Sequence, residues 1–216
     1  MTATPQARSH GSAGTRLPRP ARRRQLLGAA QEVFVAHGYH AAAMDEIAER
    51  AGVSKPVLYQ HFPGKLELYL ALLDESLDEL IAVVQAALVS AADNREQVSA
   101  TLTAFLDFAS SSDDAFRLVF DSDLGNEPTV RQRLNRAMQA CADIISVFIQ
   151  DEAGLDDVEA QLLSVALVGM AQVSAKYWLS TGRAIPKDTA QDLLGRLAWR
   201  GISGWPAGNG SLDDRS

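Results

Sequence analysis

At 216 residues, with 47% hydrophobic but only 6% aromatic side chains, the chain is long enough to bury a core and has the Ala- and Leu-rich composition of an all-α protein. A formal charge of −7 would argue against a nucleic-acid binder if it were evenly spread. Instead, nine Lys/Arg stand against four Asp/Glu through Lys65 (+5), and eleven against 23 beyond it (−12), a basic head on an acidic body. A single cysteine, Cys141, excludes an intrachain disulfide; no run reaches the ~18 apolar residues of a membrane span, and the polar N-terminus lacks a secretory h-region, so a cytoplasmic protein that enters no membrane is expected.

Residues 1–18 are mainly Thr, Ala, Ser, Gly, Pro and Arg without periodicity and are expected to form a disordered basic arm. Arg8, Arg16 and Arg19 leave two readings open, a solvated tail or an arm adding phosphate and minor-groove contacts. A first helix is predicted over 20–37, with Leu26, Leu27, Ala30, Val33 and Phe34 on one face and Gly38 closing it. Arg22, Arg23 and Arg24 at its start oppose the helix dipole and suit a phosphate better.

Two short helices joined by a glycine turn follow. Met44, Ile47 and Ala48 share a face, Gly52 breaks that helix, Ser54 stands where a side-chain cap for the second belongs, and Pro56 falls in its first turn. Leu58 and Phe62 point inward at i, i+4 and leave Lys55, Val57, Tyr59, Gln60 and His61 on other faces. This is the helix-turn-helix pattern, whose second helix enters the DNA major groove. Lys55 then suits a guanine edge or a phosphate, Gln60 an adenine edge, and Pro56 and Val57 a thymine methyl. Tyr59 and His61 suit phosphate, with packing of His61 against Phe62 the competing reading. Ser54, Ala43 and Met44 complete the candidate DNA surface, and Lys65, after Pro63-Gly64, is expected to grip a phosphate at the next helix's start.

The run Gly38-Tyr39, Asp45-Glu46-Ile47-Ala48, Ala51-Gly52-Val53-Ser54, Leu58-Tyr59-Gln60-His61-Phe62 and Lys65-Leu66-Glu67-Leu68 resembles the DNA-binding head of TetR-type regulators. The resemblance implies a three-helix head over 19–66, a helical ligand-binding and dimerisation body over 67–202, a flexible tail over 203–216 and about nine helices in all. Such regulators often carry Thr or Ser just before the Asp-Ile-Ala segment. Here Ala41, Ala42 and Ala43 leave only backbone N–H groups for a phosphate.

Beyond the head, Leu66, Tyr69, Leu70, Leu73, Leu77, Leu80, Ile81, Val84 and Leu88 keep one stripe over 65–90 without Gly or Pro, a helix long enough to act as a lever. Asp93-Asn94 opens a helix through Phe105 to Ala109, a short helix is predicted over 115–120, and Glu127-Pro128 starts another that Gly154 ends. Asp156 and Glu159 have capping-box spacing. The helix they open, to about residue 180, is apolar nearly all round and needs cover from both the core and a partner. A last helix over 187–202 offers a second apolar stripe.

Phe105, Phe116, Phe120, Met138, Phe148, Tyr177 and Trp178 are candidates for an apolar pocket that would take a hydrophobic small molecule. In resembling regulators the two C-terminal helices pair with their two-fold mates. That makes Leu162, Val165, Gly169, Val173, Leu194, Leu197, Ala198 and Ile202 the candidate seam of a homodimer on a palindromic operator. The four histidines lie in the head or arm without metal-ligand spacing, and Cys141 reads as an inert core residue, so neither metal, cofactor nor catalysis is expected.

Arg117-Leu118-Val119-Phe120, Glu127-Pro128, Gly154-Leu155-Asp156, Leu167-Val168-Gly169-Met170 and Lys176-Tyr177-Trp178-Leu179 resemble actinobacterial regulators of fatty-acid synthesis, the FasR type. That implies control of lipid synthesis with long-chain acyl-CoA as effector. A drug- or metabolite-responsive repressor of an efflux or catabolic gene is the first alternative, and a helical protein-interaction module without DNA binding the second.

Overall fold

The structure, a computed structural model, describes residues 17–111 and 124–203, and every regular element among them is a helix. In chain order these are α1 (Arg19–Ala41), α2 (Met44–Arg50), α3 (Lys55–His61), α4 (Lys65–Ser90), α5 (Asn94–Ser111), α6 (Pro128–Ala153), α7 (Asp157–Ser180) and α8 (Lys187–Ser203). Most of the basic arm (1–16), the short helix expected over 115–120 with Phe116 and Phe120, the tail beyond 203 and the Ile202 side chain lie outside the described residues.

Gly38 decides how the head closes. Its φ of 74° lies where only glycine sits without strain, so α1 bends there and its last turn swings off the axis. The carbonyls of Tyr39, His40 and Ala42, which no following helical turn takes up, accept hydrogen bonds from Lys65 Nζ at 2.8, 3.1 and 2.9 Å. The same ammonium lies 4.6 Å from the centroid of the Tyr39 ring. Tyr39 in turn stacks on Phe34 (5.9 Å between centroids), and both rings meet Tyr69 of α4 edge-on at 5.4 Å. Lys65 is therefore an internal clamp between α1 and α4. The phosphate grip expected of it has no free ammonium proton left to use.

α4 runs through two cores. Leu68, Tyr69, Leu72, Leu73 and Leu77 join Leu26, Leu27, Val33 and Phe34 of α1, Ile47 of α2, Leu58 of α3 and Phe62 in the first, to which α6 adds Val130 and Ala137. One turn further on, Leu80, Val84 and Leu88 enter the second, with Phe105 and Leu106 of α5, Cys141, Ile145 and Ile149 of α6, and Val168 and Trp178 of α7. Burying one such leucine stabilises the fold by about 2 kcal/mol, so the unbroken stripe holds head to body. Arg133 of α6 reinforces the joint by donating to both carboxylate oxygens of Asp74 at 2.8 Å.

Local signals explain most helix ends. Gly52 and Gly154 turn the chain with φ of 64° and 62°. Asp156 accepts from the Val158 and Glu159 N–H groups while Glu159 bonds back to the Asp156 N–H, the capping box its spacing predicts. Ser54 departs from expectation: it stands before α3 but makes no side-chain cap bond. Replacing Lys65 by Met should lower stability by about 1–3 kcal/mol, because three carbonyls lose their partner together. Urea unfolding reads this directly, and an unchanged midpoint would show the clamp to be dispensable.

Candidate nucleic-acid interface and the apolar cavity

α3 rests on buried Leu58, with Phe62 buried just beyond it, and turns Lys55, Pro56, Tyr59 and Gln60 to the outside, with Val57 and His61 half-buried. Lys55 is not idle: its Nζ meets Asp45 Oδ1 of α2 at 2.6 Å, and that hydrogen bond raises its pKa. Ser54 and Ala43 are exposed beside it. Met44, proposed from sequence as part of this surface, belongs to the first core instead, because its side chain lies on the α2 face turned to α1.

The start of α1 is knitted to the same unit. Arg22 donates to Gln25, and Gln25 donates onward to the Ala51 carbonyl at 2.8 Å, between α2 and its glycine turn. Gln25 is a positioning residue that the apolar stripe of α1 gave no reason to single out. Arg23 lies 4.6 Å over the Phe62 ring, and Arg24 is exposed. His61 packs against Phe62 and keeps a solvent face. Burial, and then the charges of Arg19, Arg23 and Arg22, push its pKa below the ordinary histidine value. The imidazole thus sits beside three guanidiniums at one edge of the head.

A narrow apolar cavity of about 60 Å³ opens at the far end of α4. Leu88 of α4, Val98, Thr101 and Phe105 of α5, Cys141, Ile145 and Phe148 of α6, Leu167 and Ala171 of α7, and Ala198 and Trp199 of α8 are among its walls. Thr101 Oγ1 is buried there without a hydrogen-bond partner among the described residues. Of the aromatic residues singled out in the sequence, Phe105 and Phe148 line this cavity. Met138 lies between the two cores, outside the lining. Trp178 is buried, but its indole N–H donates to the Ile185 carbonyl at 2.7 Å and pins the turn after α7. Tyr177 is 68% exposed and lines nothing. Trp199 was missed, although its spacing from Gly195 and Ala198 on α8 marks the inward face.

Tyr177 belongs to a different feature. Val158, Leu162, Val165, Val173 and Tyr177, three to eight residues apart on α7, form an exposed apolar stripe, continued on α8 by Leu193 and Leu197. Gly169 sits within the stripe with open space where a Cβ would project. Leu194 is half-buried against the second core, and Ala198 faces the cavity, so neither lies on the outer face proposed for it. The inward and outward stripes of α8 are adjacent in sequence, and packing against α5 decided between them.

A short helix held outward on a helix-turn-helix, beside the arginine-rich start of α1 and ahead of a helical body, defines a DNA-binding transcriptional regulator. Residues 26–72 match the family described as bacterial regulatory proteins, tetR family. The chain is 48% identical over 193 residues, 89% of its length and 88% of the relative's, to the HTH-type transcriptional activator FasR of Mycolicibacterium smegmatis, and it belongs to the TetR family of transcriptional regulators. A TetR-like transcriptional regulator from Rhodococcus sp. RHA1 superposes with a TM-score of 0.66 at 30% identity, covering 88% of this chain and 100% of that one. The same fold recurs in FadR from Bacillus subtilis, solved in complex with stearoyl-CoA, with a TM-score of 0.70 at 18% identity over 81% of this chain and 96% of that one.

Burial pushes the Cys141 thiol up to about 11. At pH 8 its thiolate fraction is then on the order of a hundredfold below that of an ordinary exposed cysteine, so native protein should react with a disulfide reagent that much more slowly than urea-unfolded chain. Equal rates in the two states would contradict the buried position.

Proposed function

We propose that two copies of the chain join through the exposed apolar stripes of α7 and α8 and present their α3 helices to successive major-groove segments of a palindromic operator. A long acyl chain, carried as acyl-CoA, occupies the apolar cavity and changes how firmly they do so. The observation that carries this reading is continuity: α4 and α6 each contribute to both the head core and the core around the cavity, and Asp74 and Arg133 tie them together. At about 60 Å³ the cavity is far narrower than the ~300–1,000 Å³ of typical ligand sites, so a guest must part the helices that line it. Only a ligand that binds one spacing of those helices better than the other shifts the regulator.

An almost wholly apolar wall with one unpaired hydroxyl, Thr101, fits an aliphatic chain with a single carbonyl better than it fits a polar metabolite. The resemblance to regulators of fatty-acid synthesis and the FadR complex with stearoyl-CoA support the same ligand class. On the DNA side, Lys55 and Gln60 read base edges, while Arg22, Arg23, Arg24, Tyr59 and His61 hold phosphates. Docking exchanges Asp45 for DNA as the partner of Lys55.

α7 is long and apolar enough to cross a membrane by length and composition, and most of it is left uncovered in the single chain. The partner's equivalent helix supplies its missing cover, which leaves the protein in the cytoplasm with its DNA.

Two outcomes test this reading. Leu162→Glu with Val173→Glu should sediment as a monomer at micromolar concentration and lose operator binding, whereas Lys55→Gln should leave the dimer intact and change sequence preference. A dimer that survives both glutamates refutes the seam. In a thermal-shift panel, acyl-CoAs should raise the melting temperature increasingly with chain length, and hydrophobic drugs should not; saturation at about 100 times Kd corresponds to about 2.7 kcal/mol. A drug-selective response would favour the efflux reading instead.

A further inference from the structure

The Trp199 ring borders two recesses. On one side it closes the apolar cavity; on the other it walls a second recess of about 260 Å³ between α5 and α8, lined by Arg95, Ser99, Asp192, Arg196 and Arg200. Arg196 is paired with Asp192 one turn earlier on α8. Arg95 and Arg200 are exposed and have no anionic partner among the described residues. Three arginines therefore line a recess beside the apolar slot, in a body that carries 23 carboxylates against eleven cations, and the one carboxylate at the recess offsets only one of them.

Like charges gathered without compensation disfavour one another, and a planar, always-charged fork is the group best matched to phosphate oxygens. Asn94 and Gln97 of the apolar cavity lie at the same end of α5 as Arg95, so the lining passes from aliphatic to amide to guanidinium without leaving that end of the helix. We infer that this recess binds the phosphate-bearing head of the effector whose acyl chain lies in the apolar cavity, with Arg95 and Arg200 as its principal contacts and Trp199 as the wall between chain and head. The inference rests on the acyl-chain reading above and adds a selectivity to it. Phosphorylated carrier thioesters bind tightly through both recesses, and free fatty acids bind weakly through one.

Palmitoyl-CoA, palmitate and free CoA titrated by calorimetry into the full chain and into an Arg95→Gln/Arg200→Gln variant decide the matter. The wild-type protein should bind palmitoyl-CoA about tenfold more tightly than palmitate, by an amount that shrinks with added salt. In the double variant the two affinities should converge to within about twofold with palmitate unchanged, and Arg95→Lys/Arg200→Lys should recover part of the preference. A CoA preference that survives in the double variant overturns the assignment, as does a variant that loses palmitate equally. Binding of free CoA that depends on the two arginines, without binding of palmitate, would uphold the head site and remove the acyl-chain reading; no binding of any of the three removes both.

Discussion

A bend at Gly38 and the ammonium that fills it hold the head of this protein on its body. The glycine turns the end of α1 out of helical register and leaves three carbonyls pointing at one spot, and Lys65, first residue of the long α4, donates to all three. An unpaired buried carbonyl is expensive, so the position of α4 is fixed by the same bonds that let α1 end where it does. The Phe34–Tyr39–Tyr69 triangle then locks the rotation of α4 about its own axis. With those two constraints set, the face of α4 that enters the second core follows from 3.6-residue periodicity alone.

The charge separation works on the same scaffold. The guanidiniums of α1 gather around His61 and an exposed α3, while the body beyond Lys65 carries a net charge of −12 that repels DNA. Lys55, proposed to touch a base, is paired with Asp45 in the free protein, so docking has to break that ion pair. The start of α1 is joined to the helix-turn-helix through two short bridges, Arg23 over the Phe62 ring and Gln25 on the Ala51 carbonyl.

At the other end of the molecule, α8 serves two surfaces with one heptad. Ala198 and Trp199 look inward to the cavity, and Leu193 and Leu197 look outward from it. The basic recess lies along the border between those faces. Cavity, recess and exposed stripe consequently share one helix.

The sequence by itself determined the helices, because periodicity, glycines with positive φ and the Asp156–Glu159 box are local signals that act within a few residues. It also determined which face of α3 turns inward, because Leu58 and Phe62 are apolar and four residues apart and both are buried. What tertiary structure decided were the roles of residues with two plausible partners. Lys65 meets carbonyls left by a bend in another helix, Met44 turns into the core, Tyr177 turns out of it, and Trp199 rather than Trp178 closes the cavity. The physical reason is common to all four: composition sets whether a side chain is buried or charged, but only the packing of distant helices sets what it is buried against.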